Sequence, residues 1–105
     1  MSPQVEERIR KIGERIKKEY HAERVILFGS YATGEATEDS DIDLFIVAPT
    51  KERFFQRMAT VRRLIRDLRN GLPVAPIVLT AKELEKRRKA EDPFIEGVLA
   101  TGIPL

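Results

Sequence analysis

Apolar residues first recur at helical spacing: Val5, Ile9, Ile12, Ile16 and Tyr20 stand three or four apart, behind a Ser2-Pro3 pair that suits an N-cap and a first-turn proline. The pattern predicts an amphipathic helix over about 3–20, with Glu6, Glu7, Arg8, Arg10, Lys11, Glu14, Arg15, Lys17 and Lys18 on a solvated face. His21 falls at its end, where the helix dipole favours a cationic cap. Val25-Ile26-Leu27-Phe28 then reads as a buried strand, stopped by Gly29-Ser30. Tyr31 to Glu38 suits a short helix or an ordered loop. From Asp41 to Val47 the period becomes two, which sends Ile42, Leu44 and Ile46 to one face of a strand and Asp41 and Asp43 to the other. Helical spacing returns over 51–70, with Phe54, Met58, Val61, Ile65 and Leu68 as the buried stripe and Asn70-Gly71 as the stop. Pro73 to Leu79 reads as a third strand, which Pro76 assigns to a sheet edge or an irregularity. Thr80 and Glu83 form a capping box for a helix to about Ala90, and Asp92-Pro93 opens a last helix that carries Phe94, Ile95, Val98 and Leu99 and ends at Gly102. The expected fold class is α+β: a small mixed sheet packed by helices, in one domain over residues 1–105.

Composition narrows the function classes. A chain of 105 residues can bury one core but leaves no room for a separate substrate-binding domain, so a large acceptor must come from outside. Cysteine is absent, which excludes disulfides and thiolate metal sites and fits a cytoplasmic protein. No apolar run approaches membrane-span length, and no membrane partner is expected. Charges are abundant but nearly balanced, at a net +2, which by itself demands no nucleic acid. The one concentration of a single sign is Arg53, Arg57, Arg62, Arg63, Arg66 and Arg69 on the outer side of the 51–70 helix. That side suits solvent, or else docking of an acidic protein or an RNA.

The candidate chemistry lies between the first two strands. A glycine at the end of a buried strand lets backbone amides approach an anion without a Cβ in the way. Asp41 and Asp43, side by side on one strand face, repel and raise each other's pKa unless a cation lies between them. Magnesium suits that role, because one or two carboxylates suffice when water and phosphate oxygens complete its octahedron. Read alone, the Asp-x-Asp also suits a solvated hairpin loop capped by Asp39, Ser40 and Asp41. The Gly-Ser turn in front favours the metal.

Gly29-Ser30, Gly34 and Ser40-Asp41-Ile42-Asp43-Leu44 together resemble the signature of the DNA polymerase beta nucleotidyltransferase superfamily, in particular its minimal nucleotidyltransferases. The resemblance implies a polymerase beta palm-like fold and transfer of a nucleoside monophosphate, AMP from ATP, with release of pyrophosphate. It assigns nucleotide binding to Gly29, Ser30 and Ser40, and catalysis and magnesium (manganese in its place) to Asp41 and Asp43. Minimal nucleotidyltransferases resemble antitoxins that work beside a helical HEPN-domain toxin, so the implied partner is such a protein, with RNA as the other candidate. Two departures stand out. Thr33 occupies a position where relatives often carry a basic residue, and Ala75 falls where a third carboxylate is usual, with no acid between Asn70 and Glu83. A catalytically impaired nucleotide- or partner-binding module is therefore the alternative.

Overall fold

The computed structural model describes all residues, 1–105. Helix α1 (Pro3–Glu19) starts where Ser2 caps it, its hydroxyl accepting the Val5 N–H, and sends Ile9, Ile12 and Ile16 inward. Strand β1 (Arg24–Phe28), the single turn α2 (Ser30–Thr33) and strand β2 (Ile42–Val47) follow. Helices α3 (Phe54–Leu64) and α4 (Arg66–Arg69) carry the chain over to β3 (Val74–Leu79), as a parallel strand pair requires. Helices α5 (Ala81–Lys89) and α6 (Pro93–Thr101) and the two-residue strand β4 (Ile103–Pro104) complete the fold.

The sheet order is β3-β2-β1-β4, with β2 and β3 parallel and the other pairs antiparallel. The sheet is thus mixed, as the sequence predicts. Alternation along the strands divides the core in two. Val25, Leu27, Ile42, Leu44, Ile46, Val74 and Val78 face α1, α3 and the residues just beyond α3, while Ile26, Phe45, Val47 and Leu79 face α5 and α6. Each fully buried side chain of this size contributes about 1.5–3 kcal/mol. Asp43 belongs by parity to the second face. Pro76 does lie on an edge strand, and the ladder runs through it one-for-one from Ile42↔Val74 to Val47↔Leu79 without a bulge. No helix is long and apolar enough to cross a membrane.

Four expectations are corrected. The second strand begins at Ile42, one residue later than its alternation suggests. The helix expected over 51–70 breaks at Ile65 (φ −110°, ψ 9°), because Leu68 N–H turns to the Ile65 carbonyl and the released Leu64 carbonyl accepts from Arg15 of α1 at 3.0 Å. Asp67 holds the same guanidinium in a bidentate pair at 2.9 and 3.1 Å. Phe54, expected inside, is exposed, whereas Arg57, expected on the solvated side, is only 7% exposed. Arg57 donates to Glu83 at 2.6 and 3.2 Å, to the Val78 carbonyl and to the Glu52 carbonyl, so its charge is paired inside the fold. His21 adopts the left-handed conformation just past the C-cap Tyr20, at φ 56°. The terminal strand β4 has no counterpart in the sequence pattern, since two residues are too few to show a period.

Candidate active site

Strand β1 delivers the chain to Gly29, whose backbone (φ 71°, ψ −152°) lies in a region that only glycine occupies readily. A second constraint acts on the same atom. A Cβ on Gly29 would stand 2.3 Å from Asp43 Oδ2, so the carboxylate of β2 rests directly against the bare Cα of the turn. The turn continues into α2, where Ala32 and Thr33 N–H groups donate to the Gly29 carbonyl, and Gly34 in the left-handed conformation ends it. Ser30 follows Gly29 as the first residue of α2 and is half-buried.

The loop between α2 and β2 is shaped by its own side chains. Ser40 Oγ accepts the Thr37 N–H at 2.8 Å, and the Ser40 N–H donates to the Thr37 carbonyl. Ser40 thus closes the loop that presents Asp41, and its hydroxyl is engaged there. Asp41 is exposed and Asp43 half-buried. No side chain of the protein donates a hydrogen bond or forms an ion pair with either carboxylate. Burial, and secondarily the neighbouring Asp41, push the Asp43 carboxyl above the usual range. A site built this way has a negative charge without a counterion, next to a glycine turn.

The register places the remaining neighbours. Asp43 pairs with Phe28 of β1 on one side and with Ala75 of β3 on the other. Residues in register share a face, so the side chain at 75 stands beside Asp43. The position read as a missing third carboxylate is therefore next to Asp43 in space. No group of three His, Cys, Asp or Glu residues in the chain could hold a metal ion. The donor set fits one hard divalent cation held by Asp41 and Asp43, with its other positions left to water and phosphate oxygens. Phe28 is the neighbour that the sequence treated only as core. Its parity with Ile26 and its place directly before Gly29 were the available signal.

The family described as "Nucleotidyltransferase domain" matches residues 9–100. Three proteins of Methanocaldococcus jannaschii, each named "Putative protein adenylyltransferase", are similar to the chain. One is 36% identical over 78 residues, covering 71% of this chain and 52% of that protein. A second is 44% identical over 43 residues, covering 41% and 43%, and a third 38% identical over 56 residues, covering 50% and 65%. The chain thus spans between about two-fifths and two-thirds of the length of these relatives. A crystal structure from Sulfolobus solfataricus, titled as that of "a putative nucleotidyltransferase", superposes with a TM-score of 0.53 at 32% identity, covering 82% of this chain and 81% of that one. The match over residues 9–100 takes in every strand and helix that positions Gly29, Asp41 and Asp43, and on that extent the chain belongs to the nucleotidyltransferase domain family.

Proposed function

We propose that the domain binds a magnesium-bound nucleoside triphosphate, ATP, and transfers AMP to a hydroxyl on a separate macromolecule. The observation that carries this is the contact of the Asp43 carboxylate with the bare Gly29 Cα, which brings a carboxylate without a cationic partner against a glycine turn. Gly29 and Ser30 hold the distal phosphates, and Asp41 and Asp43 hold the metal. When bound, magnesium offsets charge on the transferring phosphoryl group. The chain's own residues supply orientation: the fixed Gly29 turn and the carboxylate pair hold the α-phosphorus for in-line attack. The acceptor oxygen bonds to the α-phosphorus, the bond to the bridging oxygen breaks, pyrophosphate leaves and the acceptor proton passes to solvent. The name of the relatives, protein adenylyltransferase, supports AMP as the group and a protein as the acceptor. We assign that partner to the helical HEPN type, with the domain as its antitoxin.

A second reading rests on Ala75. No carboxylate at that position can ligate a metal beside the acceptor or take its proton, which favours a domain that binds nucleotide and partner with little turnover. Calorimetric titration with ATP in magnesium and in EDTA tests the common part of both readings. Binding in magnesium alone, lost in the double variant Asp41→Asn/Asp43→Asn, is expected; equal affinity in EDTA would refute it. Transfer of labelled AMP to the co-purified partner separates the two readings. RNA recovered in place of a protein would move the acceptor to that class.

A further inference from the structure

Five of the six glycines have a reason in the fold. A Cβ at Gly13, Gly29 or Gly102 would stand 3.0 Å or closer to Leu105, Asp43 or Ile26, and Gly34 and Gly71 have φ of 82° and 85°. Gly97 has neither reason. It lies inside α6, where glycine is worse than alanine, and a Cβ there would meet nothing within 4 Å. What Gly97 does is line a shallow, open depression of about 260 Å³ bordered by Phe28, Gly29, Phe94 and Thr101.

This slot opens off the Gly29 turn, on the sheet face that carries Asp43. Phe94 is 40% exposed, yet its ring is held by aromatic neighbours, edge-to-face with Phe28 at 5.6 Å and 6.5 Å from Phe45. A ring fixed this way and still partly free is a stacking platform. The volume falls below the roughly 300 Å³ at which pockets for drug-sized ligands begin, which suits one flat heterocycle rather than a whole nucleotide. An α-phosphate beside Asp43 lies one inter-strand spacing, roughly 5 Å, from Phe28, so the nucleoside attached to it can reach Phe94 without stretching.

We propose that the slot takes the nucleoside end of the triphosphate, with the base stacked on Phe94 and Gly97 left bare to admit it. The proposal rests on the phosphate and metal assignments above. The test titrates the wild type, Phe94→Leu and Gly97→Leu with Mg-ATP and, separately, with Mg-tripolyphosphate. Phe94→Leu keeps an apolar side chain over Phe28 but removes the ring. Gly97→Leu fills the slot, because a helical side chain there leans back over the Pro93-Phe94 turn, and its melting temperature should equal or exceed that of the wild type.

Each variant should weaken Mg-ATP by about tenfold or more, the order of base–aromatic stacking, while tripolyphosphate affinity stays within about twofold. Unchanged ATP affinity in both variants overturns the slot assignment and leaves the phosphate site standing. Equal loss of ATP and tripolyphosphate also overturns it, because the variants then act through the Gly29 turn. Loss of AMP transfer with ATP affinity intact gives the slot to the acceptor and overturns it as well. A wild type that binds neither ligand refutes the phosphate assignment, and the slot assignment falls with it.

Discussion

Ala75→Asp puts a third carboxylate beside Asp43, and its consequences reverse sign with the metal. The ladder pairs residue 75 with Asp43 without a bulge, and Ala75 is only half-buried, so a longer side chain has room. Neighbouring strands lie about 4.8 Å apart. Two unit charges at about 5 Å interact by roughly 0.8 kcal/mol in water and roughly 3 kcal/mol at an effective dielectric of 20. Without metal at neutral pH the variant should therefore lose about 1–3 kcal/mol, or roughly 5–20 °C in melting temperature for a domain of this size. Magnesium should restore the loss, since the new oxygen becomes a ligand instead of an unscreened charge. Single-turnover transfer of labelled AMP should rise on the order of a hundredfold, because the added ligand acts mainly on the transition state. The assays are thermal unfolding in EDTA and in magnesium, and transfer by both proteins with magnesium and then manganese. An EDTA melting temperature unmoved by the substitution would show that the side chain does not face Asp43. Equal, substantial transfer rates would show that position 75 is not a missing catalytic position. Two inactive proteins that still bind ATP would favour the binding-module reading.

Gly29→Ala combines a backbone penalty of about 1–3 kcal/mol with a clash against Asp43 Oδ2, so melting temperature should fall and metal-dependent ATP binding should be lost. A calorimetric trace matching the wild type would refute the close approach. Arg57, by its hydrogen bonds, holds the Glu83 carboxyl down to about 2, so this pair stabilises the fold above about pH 4.5 and the contribution is lost as pH falls toward 2. Glu83→Gln should flatten the acid side of the stability profile, and an unchanged profile would refute the assignment. Reversing the charge of Arg62, Arg63 and Arg66 should weaken capture of the protein partner while leaving Mg-ATP affinity unchanged; unaltered capture would show that these arginines are only solvated.

The arrangement of the candidate site was legible from the sequence because its residues are local. Gly29, Ser30, Asp41 and Asp43 fall within a stretch whose alternation fixes which face each carboxylate takes. The fold class was legible because the apolar runs give periods long enough to distinguish strand from helix. What was hidden depends on distant partners. Arg57 lies at the same helical spacing as its solvated neighbours, and only Glu83, 26 residues later in the chain, together with the Val78 and Glu52 carbonyls, makes it a buried residue. The carbonyl freed at the break near Ile65 is taken by Arg15, 49 residues earlier in the chain. The partial exposure of Phe94 was hidden in the same way, because it appears only when α6 is seen to meet the sheet beside Gly29.

The two perturbed carboxyls of the sheet region lie at opposite ends of β3 and respond to pH in opposite directions, which separates the stability of the fold from the demands of the site. At the Ala75 end, the raised Asp43 carboxyl favours folding below its unfolded value of 3.8, and that benefit is lost as pH rises through the folded value. At the Leu79 end, the lowered Glu83 carboxyl works the other way, stabilising at higher pH and failing in acid. At neutral pH the second end is therefore stabilised by its own ion pair, while the first carries a carboxylate that no cationic side chain of the protein pairs. Removing metal should leave Arg57 and Glu83 untouched and destabilise only the Gly29–Asp43 end, so amide exchange in EDTA should accelerate at Gly29, Ser30 and Asp43 before it does at Val78 and Leu79. Uniform acceleration along β2 and β3 would mean that the sheet responds as one unit and that the charge at Asp43 is not confined to the site.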